Sequence, residues 1–347
     1  MFFNKIITIA LLGFISYLPA NNFDCEKYKA NTLRLLQSGK SAVSHDLSGG
    51  RFGDSLLCYL HAKWISYKYN IPLLYYPFEY SEKLVLSDAE LLVIVGNTYT
   101  LKRKDITDVE PITQELFVDT VKICPDEGIL YIIPWFPESL QEYERIEDGR
   151  LYFYVNWNDG KFLEEIRTLI SPKKKLDLLQ LPTDKITVAV HVRRNSNGFD
   201  LALSFDENLP EKAGRQFLDD YYPFKCVDDN FYISSIKKLC ELLPNKSIYI
   251  YIFTDDKNPE KIAEKYKREL NNPLITFDYR RDKHDHTVHV LEDFFSILKF
   301  DCLIRSDSNF SLVASKLGNY KYDISPSGYQ LKNNHPVIVR VNISTKI

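Results

Sequence analysis

Several features that often announce a function are missing from this chain. Its six cysteines (Cys25, Cys58, Cys124, Cys226, Cys240 and Cys302) are widely and irregularly spaced. Without a CxxC pair, no zinc finger or ribbon is expected. The 44 lysines and arginines nearly balance the 47 aspartates and glutamates, for a formal net charge of -3. That balance excludes a general attraction to nucleic acid, so any arginine cluster must act locally. Past the first twenty residues, no apolar run approaches the ~20 residues that cross a bilayer. There are no internal repeats or low-complexity segments. The glycine-rich stretch Ser48–Gly53 opens a helical pattern but is not the G-x-x-x-x-G-K-[ST] pattern of a phosphate loop.

What is present starts with a leader, "MFFNKIITIALLGFISYLPANN". Lys5 precedes the apolar run Ile6–Leu18, and Ala20 is a small residue suited to cleavage. This reads as a secretory signal over residues 1–20, with a short uncleaved anchor as the alternative. The expected location is therefore the secretory lumen, the periplasm or the cell exterior. A membrane is a partner only in the anchor case. Export would allow disulfides, but Cys58 and Cys302 lie in apolar segments that suit buried thiols.

With 347 residues, 45% of them hydrophobic and 26% charged, the chain reads as folded and long enough for about two domains. The spacing of Leu56, Leu57, Leu60, Trp64 and Ile65 predicts a helix from Asp54 to about Tyr69. Strands are expected over Ile71–Tyr75, "ELLVIVGN" and "GILYIIPWF". The proline-bounded stretch Ser171–Lys185 carries three consecutive lysines and marks a boundary. Residues 21–175 and 185–330 then form two α/β domains, with 331–347 as an extension. In the second domain, strands end at Val192, Asp255-Asp256 and "DCLIRSDS", with helices over Phe231–Leu243, Asn258–Leu270, Val290–Phe300 and Phe310–Leu317. Such alternation implies parallel strands with crossover helices.

In sheets of this kind ligands bind at the carboxyl ends of the strands. Three strand ends here carry polar clusters: His191–Arg194, Asp255-Asp256 and Ser306–Asn309. An arginine fork fixed at a strand end matches a phosphate bidentately and stabilises the charge of a departing diphosphate. The same pair also suits structural salt bridges. Alternation sends Arg193 and Arg194 to opposite sides, so one is expected to face a ligand and the other to anchor the loop. Ser306, Ser308 and Asn309 suit a helix cap or an anion site. Asp255 and Asp256 suit a cap or hydroxyl acceptors; the pair supplies too few ligands for a cation. Asp293 is expected to orient the arginine at the end of the Ile186–Val192 strand. His284, His286 and His289 sit close in sequence but read as solvated, with a metal-dependent hydrolase as a remote alternative. N-x-S/T triplets occur at Asn245, Asn309 and Asn342.

Four segments, taken in order, resemble the fucosyltransferase superfamily of α1,6-, α1,2- and protein O-fucosyltransferases. "GGRFGDSLLCYLHAKWIS" is similar to its G-R-F-G-N-Q loop and helix, and "VAVHVRRNSNG" to its H-x-R-R motif. "YIFTDD" matches a strand end, and "VLEDFFSILKFDCLIRSDSNFSLVASKLG" resembles its segment of helix, strand and serine-rich cap. The resemblance spans roughly Ser48–Gly318. It implies an α/β, GT-B-like fold of two Rossmann-like domains facing a cleft. It also implies GDP-fucose as donor substrate, no metal or other cofactor, and a glycan or glycoprotein acceptor. By position, Arg193 would assist departure of GDP, and Asp200 would act as base, with Asp206 or Glu207 as alternatives. His191 and Arg194 would support the arginine loop. Asp255, Asp256, Asp293, Ser306, Ser308 and Asn309 would line the donor pocket, with Arg51 and Gly53 reaching it across the cleft. The chain departs from the pattern at Asp54, where Asn is usual, at Ser55, where Gln is frequent, and at Asp307 within the cap. Alternative readings are a transferase of another nucleotide sugar, or an inactive secreted carbohydrate-binding relative.

Overall fold

A computed structural model describes residues 23–46, 50–105, 123–133, 155–194, 224–282, 288–332 and 335–345. The leader, Asp200, Asp206, Glu207, His284 and His286 lie outside the described residues. No helix among the described residues is long and apolar enough to cross a membrane. All six cysteines are free thiols, with Cys58, Cys226 and Cys302 buried.

The first half opens with helix α1 (Cys25–Gln37), capped by the Asp24 carboxylate, which accepts the Lys27 N–H at 2.9 Å. Strand β1 (Ala42–His45) leads to α2 (Phe52–Tyr69), whose end is marked by Asn70 in the left-handed conformation. Then follow β2 (Leu74–Tyr75), α3 (Leu86–Ala89), β3 (Leu91–Leu92), α4 (Val93–Asn97), β4 (Lys102–Asp105), β5 (Ile129–Ile133) and α5 (Gly160–Leu169). Strands β1, β5 and β4 pair in parallel in the order β1-β5-β4, and β2 pairs with β3.

Two sequence expectations need correction here. The run "ELLVIVGN" is a strand only at Leu91-Leu92; Val93–Asn97 turns into a helix. Gly96 lets that helix lie against β2, since a Cβ there would stand 2.1 Å from a Leu74 methyl. A short apolar run does not by itself distinguish strand from buried helix. The strand expected over Ile71–Tyr75 is confined to β2.

The second half contains β6 (Ile186–Val192), α6 (Asp229–Leu242), β7 (Ile248–Thr254), α7 (Pro259–Leu270), β8 (Ile275–Tyr279), α8 (Val290–Ile297), β9 (Cys302–Arg305), α9 (Asn309–Leu317), β10 (Tyr322–Lys332) and β11 (His335–Ser344). Its six-stranded sheet has the order β11-β10-β9-β6-β7-β8, parallel except for β11. Counting from β6, this is the doubly wound order 6-5-4-1-2-3, with its switch point between β6 and β9. Burial of both faces explains why β6 and β7 are mostly apolar. Val188, Val190, Val192, Ile248, Ile250 and Ile252 enter the core that includes Phe231, Tyr232 and Tyr266 of α6 and α7. Ala189, Tyr251 and Phe253 enter the opposite core, with Phe294, Phe295 and Leu312 of α8 and α9.

That second core also contains Phe52, Leu56, Leu60 and Trp64 of α2. Thirteen of the 18 residues of α2 are buried, as expected for a helix packed on all sides. Gly53 makes the closest approach. A Cβ on it would stand 2.5 Å from the Phe310 nitrogen and 2.7 Å from the Phe310 Cα, so the first turns of α2 and α9 touch backbone to backbone.

Candidate functional site

The carboxyl ends of β6 and β9 lie side by side, with His191 paired in register to Arg305. Arg193 follows β6 and is only 6% exposed. Its Nη1 donates to Asp255 Oδ2, while Asp255 Oδ1 accepts the Arg194 N–H at 2.7 Å. Asp255 therefore ties the guanidinium and the loop backbone to the end of β7. Arg194 turns elsewhere. Its guanidinium donates to Asp229 Oδ1 and, at 3.3 Å, to the Val227 carbonyl. Lys265 Nζ at 2.6 Å and the Tyr266 hydroxyl at 2.8 Å also donate to Asp229. Burial raises the Asp229 carboxyl, but Lys265, Arg194 and Tyr266 outweigh it and hold its pKa below the usual carboxylate range. Arg194 is thus the loop anchor.

His191 stacks on Phe310, with ring centroids 5.7 Å apart and planes at 27°. Burial pushes its pKa down to about 4; Asp255 opposes that shift and Arg305 adds to it. The imidazole is therefore neutral near pH 7. Arg305, 8% exposed, donates from Nε to Asp323 Oδ1 at 3.2 Å.

The cap residues divide between packing and surface. Ser306 is fully buried. Asp307 donates its N–H to the Phe224 carbonyl at 2.8 Å. Ser308 holds the cap position of α9 without a side-chain cap bond. Asn309, expected just before the helix, is its first residue, and its Nδ2 donates to Asp54 Oδ1 at 2.6 Å. Asp54 Oδ2 in turn accepts the Arg51 N–H at 3.1 Å. The Asn309 triplet is thus occupied within the fold, whereas Asn245 and Asn342 are exposed.

Two placements differ from the sequence reading. Asp293 pairs with Arg280, not with an arginine after β6. Arg280 follows β8, the edge strand two places from β6, and that position decides the pairing. Burial nevertheless raises the Asp293 carboxyl despite this partner. Gly53 meets the α9 backbone, so its missing side chain serves helix packing. Asp256 accepts the Asn258 N–H at 2.7 Å, a local turn before α7. His289, in the left-handed conformation before α8, has Nε2 3.6 Å from Asp282 Oδ2. Among the described residues no group of three or more His, Cys, Asp or Glu is arranged to hold a metal ion.

Sequence reasoning overlooked Arg305, Arg280 and Asp229. Arg305 was findable, as the last residue of the strand in "DCLIRSDS". Arg193 and Arg305 set two guanidinium groups at the switch point, each held by a carboxylate, while Arg194 ties the loop down through Asp229. Such an arrangement can receive an anionic ligand without paying to order its own side chains.

No family model matches the chain, and no curated protein matches it. Among solved structures it is similar to a mutant of Arabidopsis thaliana FUT1 in complex with GDP. The identity is 15% over 87% of this chain and 75% of that one, with a TM-score of 0.51. The fold is GT-B-like α/β. Two further likenesses are looser: fucosyltransferase NodZ from Bradyrhizobium (11% identity, 88% of this chain and 98% of that one, TM-score 0.43) and POFUT1 in complex with GDP (13%, 81% and 95%, 0.38). At these identities the likeness is one of fold. In a doubly wound GT-B-like sheet the β6–β9 switch point is the expected ligand crevice.

Proposed function

We propose that the protein is a glycosyltransferase that transfers fucose from GDP-fucose to a hydroxyl of a glycan or glycoprotein acceptor, with inversion. The observation that carries this reading is the buried Arg193 at the end of β6, fixed by Asp255 beside the switch point. In the reaction the bond from the sugar's anomeric carbon to the β-phosphate oxygen breaks, and the acceptor oxygen bonds to that carbon. GDP leaves with the bonding pair, and the acceptor proton passes to a base, for which Asp200 is our candidate. Arg193 stabilises the charge that grows on the diphosphate, so it acts more strongly in the transition state than before it. His191, neutral and stacked on Phe310, supports the loop, and Arg194 anchors it through Asp229. The GDP held by the plant structure supports a guanine nucleotide as the donor's carrier. No metal is assigned a role in this scheme. An exported or lumenal compartment is part of this reading, supported by the apolar run Ile6–Leu18.

Calorimetry on the leaderless protein against GDP, GDP-fucose, GDP-mannose and two UDP-sugars, with and without a chelator, tests the reading. The expected result is chelator-insensitive binding of GDP-fucose that is lost in Arg193→Ala. In an acceptor screen the same variant is expected to lose roughly 10²-fold or more in turnover. Preference for another nucleotide sugar would reassign the donor. Binding of no guanine nucleotide would leave only the fold and favour a carbohydrate-binding protein.

A further inference from the structure

Asp54 stands at an unusual junction. It lies in the first turn of α2, yet its carboxylate reaches Asn309 at the start of α9, 255 residues away. Around this contact the two helices are as close as backbones allow, at Gly53 and Phe310. Gly50 leaves the carboxylate its space, since a Cβ there would stand 2.5 Å from Asp54 Cβ and 2.7 Å from Oδ2. On its other side Phe310 carries the stacked ring of His191, two residues before Arg193. The Asp54–Asn309 bond is therefore built into the wall of the strand-end crevice, although Asp54 belongs to the other half of the chain.

The chemistry of the pair is directional. An ionised carboxylate only accepts hydrogen bonds, whereas an amide both donates and accepts. With Asp54 as its partner, Asn309 must turn Nδ2 toward α2 and its carbonyl Oδ1 away. An asparagine at position 54 would accept either orientation. The Arg51 N–H fixes the carboxylate itself, so the amide is set by a partner that is itself held.

We propose that Asp54 is a positioning residue for the nucleotide-sugar site. It acts through Asn309, fixing the amide orientation and the first turn of α9 in the form that meets the donor. This rests on the donor reading given above. In this proposal Asp54 does not touch the donor; its carboxylate holds the Asn309 amide and the Arg51 N–H.

The test compares GDP-fucose affinity by calorimetry with thermal midpoint for the parent, Asp54→Ala and Asp54→Asn. Asp54→Ala is expected to weaken binding by about tenfold, the worth of one lost charge-assisted hydrogen bond. Asp54→Asn offers one acceptor oxygen to two donors, which frees the Asn309 amide to turn over, and is expected to weaken binding by about three- to tenfold. A merely structural contact would lower the midpoint in Asp54→Ala and leave the affinity unchanged; that result overturns the proposal. An Asp54→Asn protein that binds like the parent would overturn it too, because the amide orientation would then not matter. So would an Asp54→Asn protein that binds more than about tenfold tighter, which would make Asp54 a repulsive neighbour of the diphosphate. If Asp54→Ala fails to fold, Asp54→Ser replaces it, since a serine hydroxyl can still accept the Arg51 N–H but is too short to reach Asn309. A parent protein that binds no guanine nucleotide defeats both readings. A parent that binds, with Asp54→Ala equal to it, defeats this one alone.

Discussion

Burial holds three histidines neutral. It pushes His45 down to about 4, His61 to about 3 and His191 to about 4, against 6.5 for a free imidazole. Below pH 6.5 the unfolded chain takes up protons at these positions that the folded chain refuses. Their contribution to stability is thus fully present above pH 6.5 and is lost as the pH falls toward about 4. Each site adds a slope of at most about 1.4 kcal/mol per pH unit. Thermal melts at pH 7, 6 and 5 should show a falling midpoint, and His45→Phe should flatten that fall. An unchanged slope in that variant would place the acid sensitivity elsewhere. Gly53 gives a second test at this scale. Gly53→Ala forces a Cβ into the α9 backbone and should cost roughly 1–3 kcal/mol in denaturant unfolding.

Elements are tied together by a buried charge cluster that no local pattern reveals. Lys63 of α2 lies 3.0 Å from Glu90 Oε1, after α3, and 3.2 Å from Glu165 Oε1 on α5. It also donates to the hydroxyl of Tyr28 on α1, and the Tyr59 hydroxyl reaches Glu90 at 3.0 Å. Burial lowers the affinity of Lys63 for its proton, but these partners more than reverse that. Lys63→Met, which strands two carboxylates, should destabilise by about 3–5 kcal/mol in a urea titration. A loss under 1 kcal/mol would mean that the cluster relaxes into water. The sequence made other elements plain. Strands β6 and β7 were legible because β-branched and aromatic residues filled both faces, and α7 because Pro259 opens its amphipathic pattern. The run after Leu92 was not, since a five-residue helix and a strand of apolar residues look alike. The strand-end residues were legible as a group, but their partners were not. Arg193 meets Asp255 62 residues on, and Asp54 meets Asn309 255 residues on; tertiary structure alone sets such pairings. Asp293 was assigned to the wrong arginine for the same reason.

In the molecule as a whole, one core runs from α1 and α2 through α8 and α9 and takes residues from both halves. Cooperative loss of that core implies a single unfolding transition for the two halves. Scanning calorimetry should therefore give one peak, and fluorescence and circular dichroism should share a midpoint; two resolved peaks would refute this. The polar site at the β6–β9 switch point sits on the rim of that shared core, so damage to α2 should reach the site without touching it. The contact at Gly53 also limits how such a protein can be recombined. A chimaera that takes its six-stranded sheet from one relative must carry over the α2 helix as well, because a foreign side chain at that glycine has no room against Phe310. The seam for grafting therefore lies inside the first half of the chain, not at the lysine-rich stretch that separates the halves in sequence.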